Sequence, residues 1–278
     1  MPENFEHLLK APPVDTKFIF GRHHGRYKVK GYVIEARVAL RSLLSSGPGA
    51  ENKFLIISRA RSGTSLLRDL LNSHPDINCE AEILASARLF PKTHIHHRVK
   101  KHDRPVYGAK ILSYQMVQVH GIAEPEEFFR HFHDQGFKFI HLKRNTFWQT
   151  FSLFKATSTG VFHTDRHKVT KTKAVEVDIP DFIARLRWSD ALLQYETAGL
   201  KDIDPLDIDY DTELSQPEFF QATAARIFDY LNVSEHPVET TLRKVLPTRP
   251  DDVILNFDAL VAEIEREGLS HVLPSSED

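Results

Sequence analysis

The sequence predicts an α/β domain, P-loop-like, in which a central, mainly parallel β-sheet is flanked by helices. Three observations lead there. Short apolar runs at 53–58, 106–112 and 137–144, and a further one in "PLDIDYDTEL" (205–214), have the length and composition of strands. Stretches with helical apolar spacing separate them, and strands alternating with helices imply parallel pairing. The first and third runs end in basic turns, after residues 58 and 144. Right-handed crossovers place both turns on the sheet edge where α/β proteins bind ligands.

In chain order, residues 1–30 are irregular and include the basic stretch "GRHHGRYKVK" (21–30). A helix is expected over 32–45, closed by the breaker "SGPGAEN". Strand 53–58 leads into helix 64–73, which stops at "NSHPD". The helical "EPEEFFRHFHDQ" (124–135) joins strands 106–112 and 137–144. Helices follow at 145–158 and 181–198, and an amphipathic helix lies in "PEFFQATAARIFDYLNV" (217–233). The expectation is one domain over 1–278, with 1–50 as an N-terminal extension and helix and 51–265 as the core.

At 278 residues, 41% hydrophobic and 27% charged, the chain is long enough to bury a substantial core. Its formal net charge of −2 gives no global attraction to nucleic acid, so any anion site must come from local clustering. A single cysteine, Cys79, excludes an intramolecular disulfide. The opening "MPENFEHLLKAPPVDTKF" has no apolar signal core, and no run approaches the length of a transmembrane segment. A cytoplasmic protein is expected.

In "SRARSGTS" (58–65) a strand gives way to a helix beginning near Thr64. A helix start offers unpaired N–H groups and the positive end of the dipole. Gly63 lets the backbone wrap closely, Thr64 and Ser65 add hydroxyls, and Arg61 adds a planar charge. Together with the Ser62 amide these features suit an anion, although a capped helix beside a surface arginine would show the same residues. The Gly-Lys-Ser/Thr ending of a nucleoside triphosphatase is missing, which disfavours ATP hydrolysis. The second basic turn, "IHLKRNTFWQTFS", places Arg144 at a strand end and Ser152 two helical turns on.

"RARSGTSLLRDLLNSHP" resembles the 5′-phosphosulfate loop of sulfotransferases that use 3′-phosphoadenosine 5′-phosphosulfate (PAPS). It is closest in kind to the Arg-containing form in bacterial carbohydrate and tyrosylprotein sulfotransferases. Ala60 stands where that pattern has Pro, and Ser65 where it has a second Thr. Arg144 and Ser152 resemble the family's 3′-phosphate motif, in the right order behind the first loop. The resemblance touches most of residues 53–265 and includes "DDVILNFDALVAEI" (251–264) as a structural helix. It implies PAPS as donor with PAP as product, no metal, and a hydroxyl-bearing acceptor. Cofactor contacts would come from Arg61, Ser62, Gly63, Thr64, Ser65, Arg144 and Ser152, with Tyr210 of "IDYDTEL" near the nucleotide.

The same resemblance makes Glu82, 21 residues after Arg61, the base that deprotonates the acceptor, with Arg61 stabilising the leaving phosphate. Glu80 in "INCEAEIL" is the near alternative, and Lys110 in "YGAKIL" could assist the sulfate or orient Glu82. Cys79 is expected to be a buried apolar residue, not a nucleophile. The histidine-rich "THIHHRVKKHDR" (93–104) reads as a solvated basic loop; it and the second basic stretch, "HTDRHKVTKTK" (163–173), could equally attract an acidic glycan or lipid headgroup or be ordinary exposed charge. "STGVFH" (158–163) resembles the bacterial carbohydrate enzymes and points to a carbohydrate or glycolipid acceptor. A kinase-like phosphotransferase and a non-catalytic PAP- or glycan-binding protein are the competing readings.

Overall fold

The computed structural model describes residues 5–9, 33, 36, 37, 40, 41, 49–101, 104–159, 174–240, 242 and 250–274. Five strands form one sheet in the order β2-β3-β1-β4-β5: β1 Asn52–Ser58, β2 Ile77–Glu82, β3 Val106–Leu112, β4 Phe137–Lys143 and β5 Leu206–Asp209. Every pairing is parallel. The helices between them are α1 Thr64–Asn72, α2 Pro91–Lys100, α3 Pro125–His133, α4 Thr146–Thr159 and α5 Ile179–Leu200, with α6 Phe220–Leu231 and α7 Phe257–Arg266 beyond β5.

The central strand shows why the sheet is covered on both sides. Phe54 and Ile56 point into a layer built with Leu67, Leu71, Ile227 and Phe228 of α1 and α6. Leu55 and Ile57 point the other way, into Phe128, Phe129 and Phe132 of α3 and Tyr195 of α5. Period-2 alternation with both faces apolar therefore reads as a continuous hydrophobic run, as parallel strands do. A third cluster joins α4, α5 and α7 through Phe147, Phe151, Phe182, Leu186 and Leu260.

Buried charge also holds the sheet to α5. His141 of β4 sits between Glu196 of α5 (Nε2 to Oε2, 3.2 Å) and Asp207 of β5 (Nδ1 to Oδ1, 3.3 Å). Burial opposes protonation of this imidazole, but the hydrogen bonds to the two carboxylates outweigh it and raise its pKa. The His141 hydrogen bond is the main cause that lowers Asp207 to about 2.

Two expectations need correction, and one strand had not been expected. "INCEAE" is strand β2 at the sheet edge, which its polar alternation concealed. The run 205–214 is a strand only to Asp209; Tyr210–Glu213 is a helical turn, because the Asp209 carboxylate accepts the Asp211 and Thr212 amides and caps it. Residues 93–100 of the histidine-rich segment lie in α2, not a loop, burying Ile95, His97 and Val99. The basic stretches 21–30 and 163–173 and the end of "STGVFH" lie outside the described residues. Residues 33, 36, 37, 40 and 41 are helical, in keeping with the helix expected over 32–45.

Candidate functional site

β1 and β4 are neighbours in the sheet, so the turns that leave their C-terminal ends lie side by side. The first is wound tightly: Arg61 has φ 67° and Gly63 has φ 91°. The second value suits glycine alone, and a β-carbon at 63 would meet the Tyr210 ring at 2.3 Å. No side chain caps α1, so the amides of its first turn are left for another acceptor. Ser62 is fully buried, and its hydroxyl has no hydrogen-bond partner among the described residues.

Arg59, which sequence reasoning passed over, anchors this turn. It is 1% exposed and donates to Thr146 Oγ1 (2.9 Å), Ser189 Oγ (3.0 Å) and the Arg144 carbonyl (2.5 Å). Gln149 of α4 donates to the Ala60 carbonyl at 2.5 Å and accepts from Ser189. Nothing in "SRARS" distinguishes a buried arginine from an exposed one; only the approach of α4 and α5 does.

The second turn closes on the first. Arg144 Nη1 donates to the Arg61 carbonyl at 2.9 Å, and its guanidinium lies 4.5 Å over the Tyr210 ring. Arg61 Nε donates to Ser152 Oγ at 3.3 Å, so that α4 does run along the turn. Asp211 is 3.7 Å from Arg144 Nε and accepts the Asn145 amide at 2.8 Å. Burial and then the neighbouring Arg144 lower the Arg61 pKa; burial likewise lowers that of Arg144. Two desolvated guanidinium groups that raise the cost of each other's charge favour an anion nearby.

On the other side of β1, β3 and β2 bring up Lys110 and Glu82. Lys110 Nζ is 3.2 Å from Glu82 Oε1 and 3.3 Å from Ser65 Oγ, so one ammonium touches both the carboxylate and the first turn. Gln115 donates from Nε2 to Glu82 Oε2 at 2.7 Å, while its Oε1 accepts the Leu112 amide. That second bond fixes which end of the amide faces Glu82. Glu80 is engaged elsewhere, in a bidentate pair with Arg98 of α2 at 2.6–3.0 Å. A register shift between Glu80 and Glu82 turns the two carboxylates to different partners, although residues two apart on a regular strand share a face.

Cys79 is buried, and burial pushes its thiol up to about 12, the reverse of an activated nucleophile. On α2, burial and the approach of His131 lower His96 to about 4. Among the described residues no group of three or more potential metal ligands is gathered, and no helix is long and apolar enough to cross a membrane.

No protein-family model matches the chain, and no curated protein matches it. Among solved structures it is similar to a mouse sulfotransferase, SULT7A1, complexed with PAP, at 16% identity and a TM-score of 0.42. The alignment covers 74% of this chain and 66% of that one, just under two thirds of the solved chain's length.

Proposed function

We propose that the protein is a PAPS-dependent sulfotransferase acting on a hydroxyl group of a carbohydrate or glycolipid. The observation that carries this reading is the position of Lys110, whose ammonium joins Glu82 to the hydroxyl of Ser65 in the anion turn. A proton acceptor held beside an anion cradle suits sulfuryl transfer to a hydroxyl, which needs both a base and stabilisation of the leaving charge. The glycine-lined turn, the buried Ser62 hydroxyl and the uncapped helix start fit a phosphosulfate.

Bound there, PAPS would supply the SO₃ group that the acceptor oxygen takes up. The chain's own residues do the rest. Glu82 accepts the hydroxyl proton, held in place by Lys110 and Gln115. Arg61 and the amides of Ser62, Gly63, Thr64 and Ser65 stabilise negative charge on the phosphate side. Arg144 and Ser152 hold the 3′-phosphate, and Tyr210 closes the nucleotide side against Gly63. The carbohydrate acceptor rests on the resemblance of "STGVFH", and the cytoplasmic setting on the lone cysteine.

The test is thermal unfolding of the wild type and Arg144→Ala with PAP, ADP and ATP–Mg²⁺ in parallel. A ligand at a hundred times its dissociation constant adds about 2.7 kcal/mol, a rise of several degrees. Stabilisation by PAP that Arg144→Ala abolishes is expected. Preference for ATP–Mg²⁺ would point to a phosphotransferase and overturn the proposal. Binding of PAP without turnover across a broad panel of hydroxyl acceptors would leave a non-catalytic binding protein.

A further inference from the structure

A cavity of about 610 Å³ lies between the entries to α2 and α3, lined by Leu89, Phe90, Ile122, Ala123 and Phe128 among others. That volume is in the range of small-molecule sites. Its walls are the two segments that leave the sheet next to the proposed base. One starts at Glu82, the last residue of β2, and runs to Phe90; the other leaves β3 just beyond Lys110, carries Gln115, and reaches Ala123. In a parallel sheet the crossover helices begin at the C-terminal edge of the strands, so the mouths of α2 and α3 share an edge with Glu82 and with the anion turn. The walls are stitched together where His120 Nε2 meets the Leu84 carbonyl at 3.2 Å. Tyr195 of α5 secures the second wall, donating to the Ile122 carbonyl at 2.9 Å.

The chemistry of the lining is apolar with a polar rim. Phe90 is 51% exposed and Leu89 37%, two neighbouring large hydrophobic side chains left open at one place. Beside them Lys92 pairs with Glu127 at 3.1 Å. The nucleotide turns belong to β1 and β4, whereas this cavity belongs to β2 and β3, and Glu82 lies on the β2 side of the anion turn. The donor turns and this cavity thus follow different strands of one sheet edge, and Glu82 ends β2, one of the two strands that lead into the cavity walls.

We infer that this cavity is an acceptor subsite that takes an apolar substituent, alkyl or aryl, of a hydroxyl-bearing acceptor. The inference rests on the sulfotransferase reading. It makes the preferred substrate an amphipathic glycoside or glycolipid, not a free sugar: the apolar group seats between α2 and α3, and the hydroxylated part extends along the edge to Glu82.

The test uses the full chain saturated with PAP and two probes, methyl and octyl β-glucoside, the latter below its micelle concentration, titrated by calorimetry. Octyl glucoside is expected to bind at least about tenfold more tightly than methyl glucoside, since several methylene groups leave water. Ala123→Trp, which fills the cavity, and Phe90→Ala, which removes an exposed wall, should each abolish most of that preference while leaving stabilisation by PAP unchanged. Because Phe90 is half exposed, its variant tests the cavity even if Ala123→Trp fails to fold. Equal affinity for the two glucosides, or a preference that both variants retain, would overturn the subsite. Failure of PAP to stabilise the protein would instead overturn the sulfotransferase reading. Octyl binding that Ala123→Trp abolishes would then still establish an apolar site.

Discussion

Gly63 and Tyr210 compete for one volume: a β-carbon on the glycine would lie 2.3 Å from Cδ2 of the ring. The contact locks the first turn against the chain segment that follows β5, at the point where Arg144 also stacks on the ring.

Gly63→Ala should accordingly be worse than a glycine substitution that only violates backbone preference. Gly136 is the control, with φ +77° and open space around its would-be β-carbon. Gly136→Ala is expected to lose about 1 kcal/mol of unfolding free energy, and Gly63→Ala at least about 1 kcal/mol more together with stabilisation by PAP. Denaturant melts with and without PAP decide it; equal losses would show that the Tyr210 contact yields.

The two carboxylates of β2 separate cleanly by partner. Glu82→Gln should lower sulfuryl transfer by about a hundred- to ten-thousandfold, the usual range for losing a general base, with PAP stabilisation intact. Glu80→Gln should leave most of the turnover and lower the melting midpoint instead, because it breaks the bidentate pair with Arg98. The reverse pattern in a labelled-sulfate assay would move the base to Glu80.

With Glu82 as the proposed base, Gln115 would act through it as a positioning residue. Gln115→Met keeps the volume but removes the 2.7 Å bond to the carboxylate. A fall of about tenfold in kcat with unchanged PAP affinity is expected, and Gln115→Glu should not restore it, since a second carboxylate would face Glu82. A change in PAP affinity equal to the loss in kcat would mark a merely structural role.

Stability should also depend on pH through His141. Its folded pKa is raised, so its stabilisation is complete below about 6.5, the ordinary value, and fades as pH rises through the folded value. Wild type should therefore lose stability relative to His141→Gln between about pH 6 and pH 9, as read from urea midpoints at both ends. Parallel curves would show that the imidazole does not titrate differently in the folded and unfolded states.

Much of this was legible in the residues, for reasons that also explain the gaps. Strands β1, β3 and β4 are buried on both faces and so announce themselves as apolar runs. β2 carries Asn78, Glu80 and Glu82 on an edge that the register shift distorts, and so it presents no apolar run. The convergence of Arg61, Arg144 and Ser152 followed from two turns leaving neighbouring parallel strands. Arg59 and Gln115 were invisible because their partners, Ser189 and Glu82, are 130 and 33 residues away in sequence. Long-range pairing of this sort leaves no periodicity behind.

The burial of Arg59 has a thermodynamic corollary. Its bonds to Thr146, Ser189 and the Arg144 carbonyl tie both turns to α4 and α5 as the chain folds. The loss of conformational freedom in those turns thus belongs to folding and would not be incurred again when the proposed nucleotide binds. Association should resemble the docking of two rigid bodies, with a small heat-capacity change and an on-rate set by electrostatic attraction. Loosening Arg59 would transfer that entropy to the binding step, weakening affinity for the nucleotide without removing any group that touches it.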